Sequence, residues 1–381
     1  MVFFMVNMRR TLYLNILLAL VITAWIAGCS LPEATPQPLA HSAPSAESSI
    51  TPGLPPPQVL TLPKSTATTT VTQEPTPSAP PTSTATPDPY EPYTIDYLAR
   101  RSFGGGELQV EDVLAVNSFY TRTLVSYPSD GLRIFGFMDT PRPERVADGG
   151  KLPVVIAVHG FIEPAIYATL DYTTRYADAL ARAGFLVIHP NLRGYAPSDD
   201  GDNLFRVGMA IDVLNLIALV KEQAGKPGAL ERADPAAIGI WGHSMGGGIS
   251  TRVITLSPDV RAAVLYDAMS GDDRQNYQRI YDYFSNGTRG LEELKAPDEA
   301  FLRISPIYYL DRIQAAVSIH HGESDVDVPI TWSLDLCQRL QALGKSVECF
   351  TYKGEPHTFH GEGDQLFIQR TIEFFKRWLR E

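Results

Sequence analysis

Gly242-His243-Ser244-Met245-Gly246 sets one serine between two glycines, the G-x-S-x-G pattern that holds a hydroxyl on a tight turn between a strand and a helix. The β-branched and aromatic run ahead of it and the helix-compatible segment after it supply that setting. A serine hydroxyl becomes a nucleophile only when a base takes its proton and an acid orients the base. Downstream, His320-His-Gly-Glu-Ser-Asp325-Val-Asp327-Val-Pro329 offers two carboxylates, and Tyr352-Lys-Gly-Glu-Pro-His357 offers an imidazole. Asp267 and His360 are further candidates for acid and base. The chain order nucleophile, acid, base is the one this turn uses, so the chemistry expected is acyl transfer. Met245, the residue after the nucleophile, supplies one backbone N–H for the oxyanion.

These side chains need a frame that brings distant loops to one edge. From Lys151 onward, apolar strands alternate with amphipathic helices. Strands are predicted over 153–158, 185–188, 237–241, 262–266, 316–319 and 347–352. Helices are predicted over 172–182, 205–220, 332–343 and 365–379. Such alternation implies a mostly parallel sheet covered on both faces, with ligands bound at the carboxyl ends of its strands. Ser244, the Asp325 loop and His357 all fall just past strand ends. An initial antiparallel hairpin is expected from 119–127 and 132–138, joined at Ser129-Asp130-Gly131. Between strands, Ser270 to Ser305 is rich in tyrosine and charge and reads as a small cap insertion, or as a surface excursion.

The matching pieces, taken together, resemble the α/β-hydrolase superfamily, near dienelactone hydrolases and the catalytic domain of the prolyl oligopeptidase family. They run from Ser129-Asp-Gly-Leu through Val158-His-Gly-Phe161, Asn191-Leu-Arg-Gly-Tyr195, Gly242 to Gly247 and Ser305-Pro-Ile to His321 to Pro329 and His357-Thr-Phe359. They span about Tyr127 to Leu379. The resemblance implies an α/β-hydrolase fold with Ser244 as nucleophile, Asp325 as acid and His357 as base. Asp327, Asp267 and His360 remain as rivals. It also implies that Phe161 N–H joins Met245 N–H in the oxyanion hole. His159, His243 and His320 read as structural residues around the turns. The expected activity is hydrolysis of a carboxylic ester through an acyl-enzyme, with a serine peptidase acting on short peptides as the alternative. Peptidases of this kind usually carry a large N-terminal propeller, whereas only about 60 residues, Tyr93 to Pro153, precede the core strands here. An inactive binding protein on a hydrolase scaffold is a second alternative, although no candidate nucleophile, acid or base is missing.

The ends and the composition add context. With 381 residues, a net charge of −11 and 30 prolines, the chain lacks the basic balance of a nucleic-acid binder. Arg9-Arg10 followed by an apolar run, Leu12 to Ala27, and Ile26-Ala-Gly-Cys29 read as a signal peptide over residues 1–29. The site resembles a bacterial lipobox with Cys29 as the lipidated residue, so an exported protein, lipid-anchored on the extracytoplasmic side of a membrane, is expected. Residues 30–92 are rich in Pro, Thr and Ser and are expected to form a disordered tether to a catalytic domain at 93–381. In an oxidising compartment Cys337 and Cys349, 12 positions apart, could pair or stay as buried thiols. Neither a cofactor nor a metal is called for, and the oligomeric state is left open.

Overall fold

A computed structural model of the chain describes residues 87–145 and 150–380. The signal peptide and nearly all of the expected tether lie outside the described residues. Among the described residues, no helix is long and apolar enough to cross a membrane.

Nine strands form one sheet: β1 (Gln109–Val116), β2 (Tyr120–Ser129), β3 (Leu132–Pro141), β4 (Leu152–Val158), β5 (Leu186–Pro190), β6 (Ala233–His243), β7 (Val260–Tyr266), β8 (Ala316–Gly322) and β9 (Val347–Tyr352). Their spatial order is β1-β2-β3-β5-β4-β6-β7-β8-β9. Strands β1 to β3 pair antiparallel, β3 pairs antiparallel with β5, and the remaining pairs are parallel. The expected hairpin is therefore two strands of a three-stranded antiparallel wing. The missed strand, β1, is exposed along its whole length, so neither face carries an alternating apolar signal.

Strand β4 shows why the centre reads as a continuous apolar run. Side chains of a strand alternate between faces. Val154, Ile156 and Val158 enter one buried cluster, whereas Val155 and Ala157 enter the other. The first cluster is closed by helices α3 (Val207–Gln223), α4 (Met245–Leu256) and α8 (Ile330–Ala342); the second is closed by α2 (Thr174–Arg182) and α9 (Gly361–Leu379). Helix α1 (Ile95–Ala99) leads into this body, and the described chain is tied to it from Asp88 on. Asp88 and Glu91 both pair with Arg303.

The insertion between β7 and β8 holds three short helices, α5 (Asp273–Arg279), α6 (Leu291–Leu294) and α7 (Asp298–Ile304), with a π-helical turn at Ile280–Phe284. It packs on a third apolar cluster, which joins Tyr277, Ile280 and Phe301 to Leu98, Phe205 and Met269. Buried Arg252 of α4 reaches up to pair with Asp273 and donates to Ile304 O at 2.8 Å. Cys337 and Cys349 form a disulfide, with Cα atoms 6.4 Å apart, that staples α8 to β9.

Candidate active site

Ser244 stands between β6 and α4 with φ 53° and ψ −117°, a conformation that costs a non-glycine residue on the order of 1–3 kcal/mol. The turn closes so tightly that its flanking positions must be glycine. A Cβ on Gly242 would meet Gly246 O at 2.4 Å, and one on Gly246 would meet Val158 O at 2.1 Å. The strain is held by the main chain around it. Ser244 N donates to Tyr266 O at 2.9 Å, and Ser244 O accepts from Gly247 N, Gly248 N and Met269 N. Met245 is the first residue of α4, so its N–H has no acceptor within the helix and sits at the positive end of the helix dipole.

The acid loop follows β8. Asp325 Oδ2 lies 2.7 Å from His357 Nδ1 and 3.4 Å from His321 Nε2. Asp325 Oδ1 accepts from Asp327 N at 2.8 Å and from Val328 N at 3.0 Å. Burial alone would raise this carboxyl, but the hydrogen bonds from His321 and His357 outweigh it and hold the group far below the usual carboxylate range. A carboxylate only accepts, so His357 carries its proton on Nδ1 and keeps the Nε2 lone pair free. The structure thus brings Asp325 and His357 together.

The rivals hold other partners, though Asp267 and Asp327 both have a carboxylate oxygen within 4.8 Å of a His357 ring nitrogen and Asp327 also lines the cavity around Ser244. Asp327 accepts from Tyr283 Oη at 3.2 Å, and its carbonyl accepts from Arg279 Nε at 3.0 Å, so it serves as a foothold for the cap. Asp267 accepts from Gly322 N at 2.8 Å and is 3.6 Å from His321 Nδ1, while its Oδ2 is buried with no hydrogen-bond partner among the described residues. Burial pushes the Asp267 carboxyl well above its usual range. His360 is the N-cap of α9 and donates its backbone N–H to Glu355 Oε2 at 2.8 Å.

Ser244, Met245, His357 and Phe161 line one cavity of about 820 Å³. The cap supplies its outer wall through Tyr277, Ile280, Phe284 and Leu291. The insertion is therefore a cover over the site and not a detached excursion. Phe161 follows β4 in a loop whose His159 ring nitrogens lie 2.7 Å from Gly160 O and 2.8 Å from Asn191 O. Its ring lies 4.6 Å beneath the Arg289 guanidinium, an ion of the cap.

Other motif residues are structural. Arg193 pairs with Asp212 at 2.7 Å, and Asp212 also accepts from Ser129 Oγ at 2.7 Å, which locks the loop after β5 and the β2–β3 turn onto α3. Three groups of His and carboxylate side chains among the described residues have ligand atoms within 4.8 Å of one another, and each of them includes Asp325 or His357. The buried imidazoles in these groups are already engaged: His321 with Ser333 Oγ and Val328 O, and His243 with Tyr172 and His357 O.

The prolyl oligopeptidase family profile matches residues 172–381, more than half of the chain. The chain belongs to the prolyl oligopeptidase family. It is accordingly a serine hydrolase with the α/β-hydrolase fold. It is 25% identical over 259 residues to the uncharacterized peptidase YtmA of Bacillus subtilis (strain 168), covering 66% of this chain and 92% of that one. It is 24% identical over 216 residues to a probable 2-oxo-3-(5-oxofuran-2-ylidene)propanoate lactonase of Bradyrhizobium sp., covering 55% of this chain and 75% of that one. Among solved structures, Pyrococcus horikoshii acylaminoacyl peptidase superposes with a TM-score of 0.55 at 23% identity, covering 70% of this chain and 43% of that one. The chain thus spans less than half of that peptidase, and the likeness is one of fold.

Two residues of the site carry no mark in the sequence. Tyr172, expected at the start of a helix, precedes α2 and lines the cavity. Arg206, expected inside a helix, is its N-cap with φ 55° and also lines the cavity. No local signal distinguishes either residue, because each role depends on what the fold sets opposite it.

Proposed function

We propose that this hydrolase cleaves a carboxylic ester, with Ser244 as nucleophile, His357 as base and Asp325 as the acid that orients it. The observation that carries the reading is the strained Ser244 turn opening on the same cavity as His357, whose Nδ1 is held by Asp325 at 2.7 Å. In this reading, His357 Nε2 takes the Ser244 proton as Oγ attacks the carbonyl carbon. The Met245 and Phe161 N–H groups receive the charge that develops on the carbonyl oxygen. The protonated base then gives its proton to the leaving alkoxide, and an acyl-Ser244 ester remains. Water, activated by the same imidazole, attacks this ester and releases the acid.

A small ester suits the form of the cavity, which is roofed by a short insertion and whose wall joins apolar side chains such as Phe161, Met269, Ile280 and Phe284 to polar ones such as Asn203 and Thr288. The lactonase relative, whose substrate class is a cyclic ester, points the same way. Cleavage of short peptides is the second reading, favoured by the family and by the relative named a peptidase. Hydrolysis of p-nitrophenyl esters from acetate to octanoate is to be measured beside aminoacyl and prolyl p-nitroanilides, with Ser244→Ala as control. Ester turnover with idle anilides supports the first reading, and comparable anilide turnover replaces it with the second.

We infer further that the protein is exported and anchored through lipid on Cys29. The support is the Arg9-Arg10, apolar run and Ile26-Ala-Gly-Cys29 sequence, together with a disulfide suited to an oxidising compartment. Loss of the protein from the membrane fraction on Cys29→Ala is the expected result, and unchanged fractionation would overturn it.

A further inference from the structure

We propose that His243, anchored at its other ring nitrogen by Tyr172, is the positioning residue that sets the main chain of His357 in register with the nucleophile. The inference rests on the reading of His357 as the base. It assigns work to a residue that the sequence places only as a neighbour of Ser244.

The argument is one of donors and acceptors. His243 Nε2 lies 2.7 Å from the carbonyl oxygen of His357. A carbonyl oxygen only accepts, so Nε2 must carry the proton. The ring is buried, and desolvation with the nearby His357 pushes it down to about 3, so it is neutral at working pH. A neutral imidazole with its proton on Nε2 has a bare lone pair on Nδ1, and there the Tyr172 hydroxyl makes a short hydrogen bond. Tyr172 therefore donates, His243 relays, and His357 O accepts. The Tyr172 hydroxyl satisfies the Nδ1 lone pair that this tautomer leaves buried; without it that acceptor would stand unpartnered and the ring would lose its second anchor.

The relay joins three loops that chemistry needs in register. The Tyr172 hydroxyl also packs against Gly160, beside the proposed oxyanion donor Phe161. The phenol fills the space of a side chain at Gly160: a Cβ there would lie 2.2 Å from its oxygen and 3.2 Å from Ser244 Cβ. His243 stacks on Tyr266, with ring centroids 4.2 Å apart. The Tyr266 hydroxyl in turn accepts from Phe359 N at 2.5 Å. The base loop is thus pinned at His357 O and again at Phe359 N, while Asp325 holds only the ring. An aspartate on Nδ1 leaves the imidazole free to move with its backbone, and the His243 contact removes that freedom.

The test compares His243→Gln, which keeps an N–H donor at the end of a side chain of similar reach, with His243→Met, which keeps the bulk and removes the donor. Turnover is read on the best p-nitrophenyl ester, with thermal midpoints measured alongside. His243→Met is expected to lower kcat at least tenfold with KM within threefold of the parent, and His243→Gln to restore most of that loss. Tyr172→Phe is expected to lower kcat in the parent and to add nothing in the His243→Met background, because both changes break one chain of contacts. Equal kcat for the Gln and Met variants, or additive losses with Tyr172→Phe, would overturn the proposal. If neither His243 variant folds, Tyr172→Phe alone decides: an unchanged kcat overturns the relay. A His357→Ala control separates the two levels. Retained turnover there would remove the base assignment itself, and with it the relay. Abolished turnover keeps the base in place, and the His243 comparison then decides the relay.

Discussion

Asp267 and Asp325 contact the two ring nitrogens of one buried imidazole, His321, at 3.6 and 3.4 Å, yet their carboxyls are driven in opposite directions. Burial dominates at Asp267, which has one backbone donor and an unpartnered Oδ2. Burial is the largest single influence at Asp325 too, but two imidazoles and two backbone donors together outweigh it. Asp267 is pushed toward the neutral acid and Asp325 toward the anion, the form that the role proposed for Asp325 needs.

That difference gives opposite pH dependences. An unfolded aspartate titrates near about 3.9. Above that value the unfolded chain releases the Asp267 proton while the folded chain keeps it, so Asp267 lowers stability as pH rises. Asp325 does the reverse: it stabilises above that value, and the contribution is lost as pH falls toward its depressed folded value. Asp267→Asn mimics the neutral acid and is expected to raise the thermal midpoint at pH 8 while leaving it nearly unchanged at pH 3. An equal shift at both pH values would contradict this.

Asp325→Asn keeps the shape of the acid and removes the charge that fixes the His357 tautomer. It is expected to lower kcat by about three to four orders of magnitude with little change in KM. Asp327→Asn, whose side chain accepts from Tyr283 and also lines the cavity, is expected to lower kcat by less than about tenfold, since it leaves the contact between Asp325 and His357 in place. Steady-state kinetics on one ester decides between the two carboxylates.

The disulfide between Cys337 and Cys349 closes a short loop from α8 to β9, the strand that leads into the His357 loop. Replacing both cysteines by serine is expected to cost about 2–4 kcal/mol of stability, read as a urea midpoint. The kinetics at 25 °C should stay within twofold, because neither cysteine lines the cavity.

Phe284 closes the cavity from the π-helical turn of the cap. Phe284→Ala lengthens the apolar space, so kcat/KM for the octanoate ester relative to acetate should rise about tenfold. An unchanged ratio would mean that acyl chains leave the site by another wall.

Much of this site is legible in the chain. The two glycines around Ser244 are demanded by backbone contacts near 2 Å, so a local pattern carries a local constraint. The buried strands announce themselves because both of their faces are apolar. Asp325 and Asp327 are harder, since spacing in one loop says nothing about which carboxyl turns toward His357. Strand β1 is invisible because it buries neither face. The left-handed pair Phe205 and Arg206 is masked by a helical spacing that begins only at Val207. Tyr172 and His243 lie 71 residues apart, and their meeting exists only in the folded sheet.

The cap leaves the sheet and returns to it at one point. Ile307 N donates to Gly271 O at 2.9 Å, and Asp273 N donates to Ser305 Oγ at 3.0 Å. A segment whose ends are clasped can be lengthened or exchanged at little entropic cost to the body that carries it. Ser244, Asp325 and His357 all lie outside the clasp, whereas much of the cavity wall lies within it. On the proposed function, then, the reacting groups stay in the body while half of the wall around the substrate belongs to the cap, and a descendant of this protein can alter its substrate by rewriting the cap while its reaction chemistry is inherited intact.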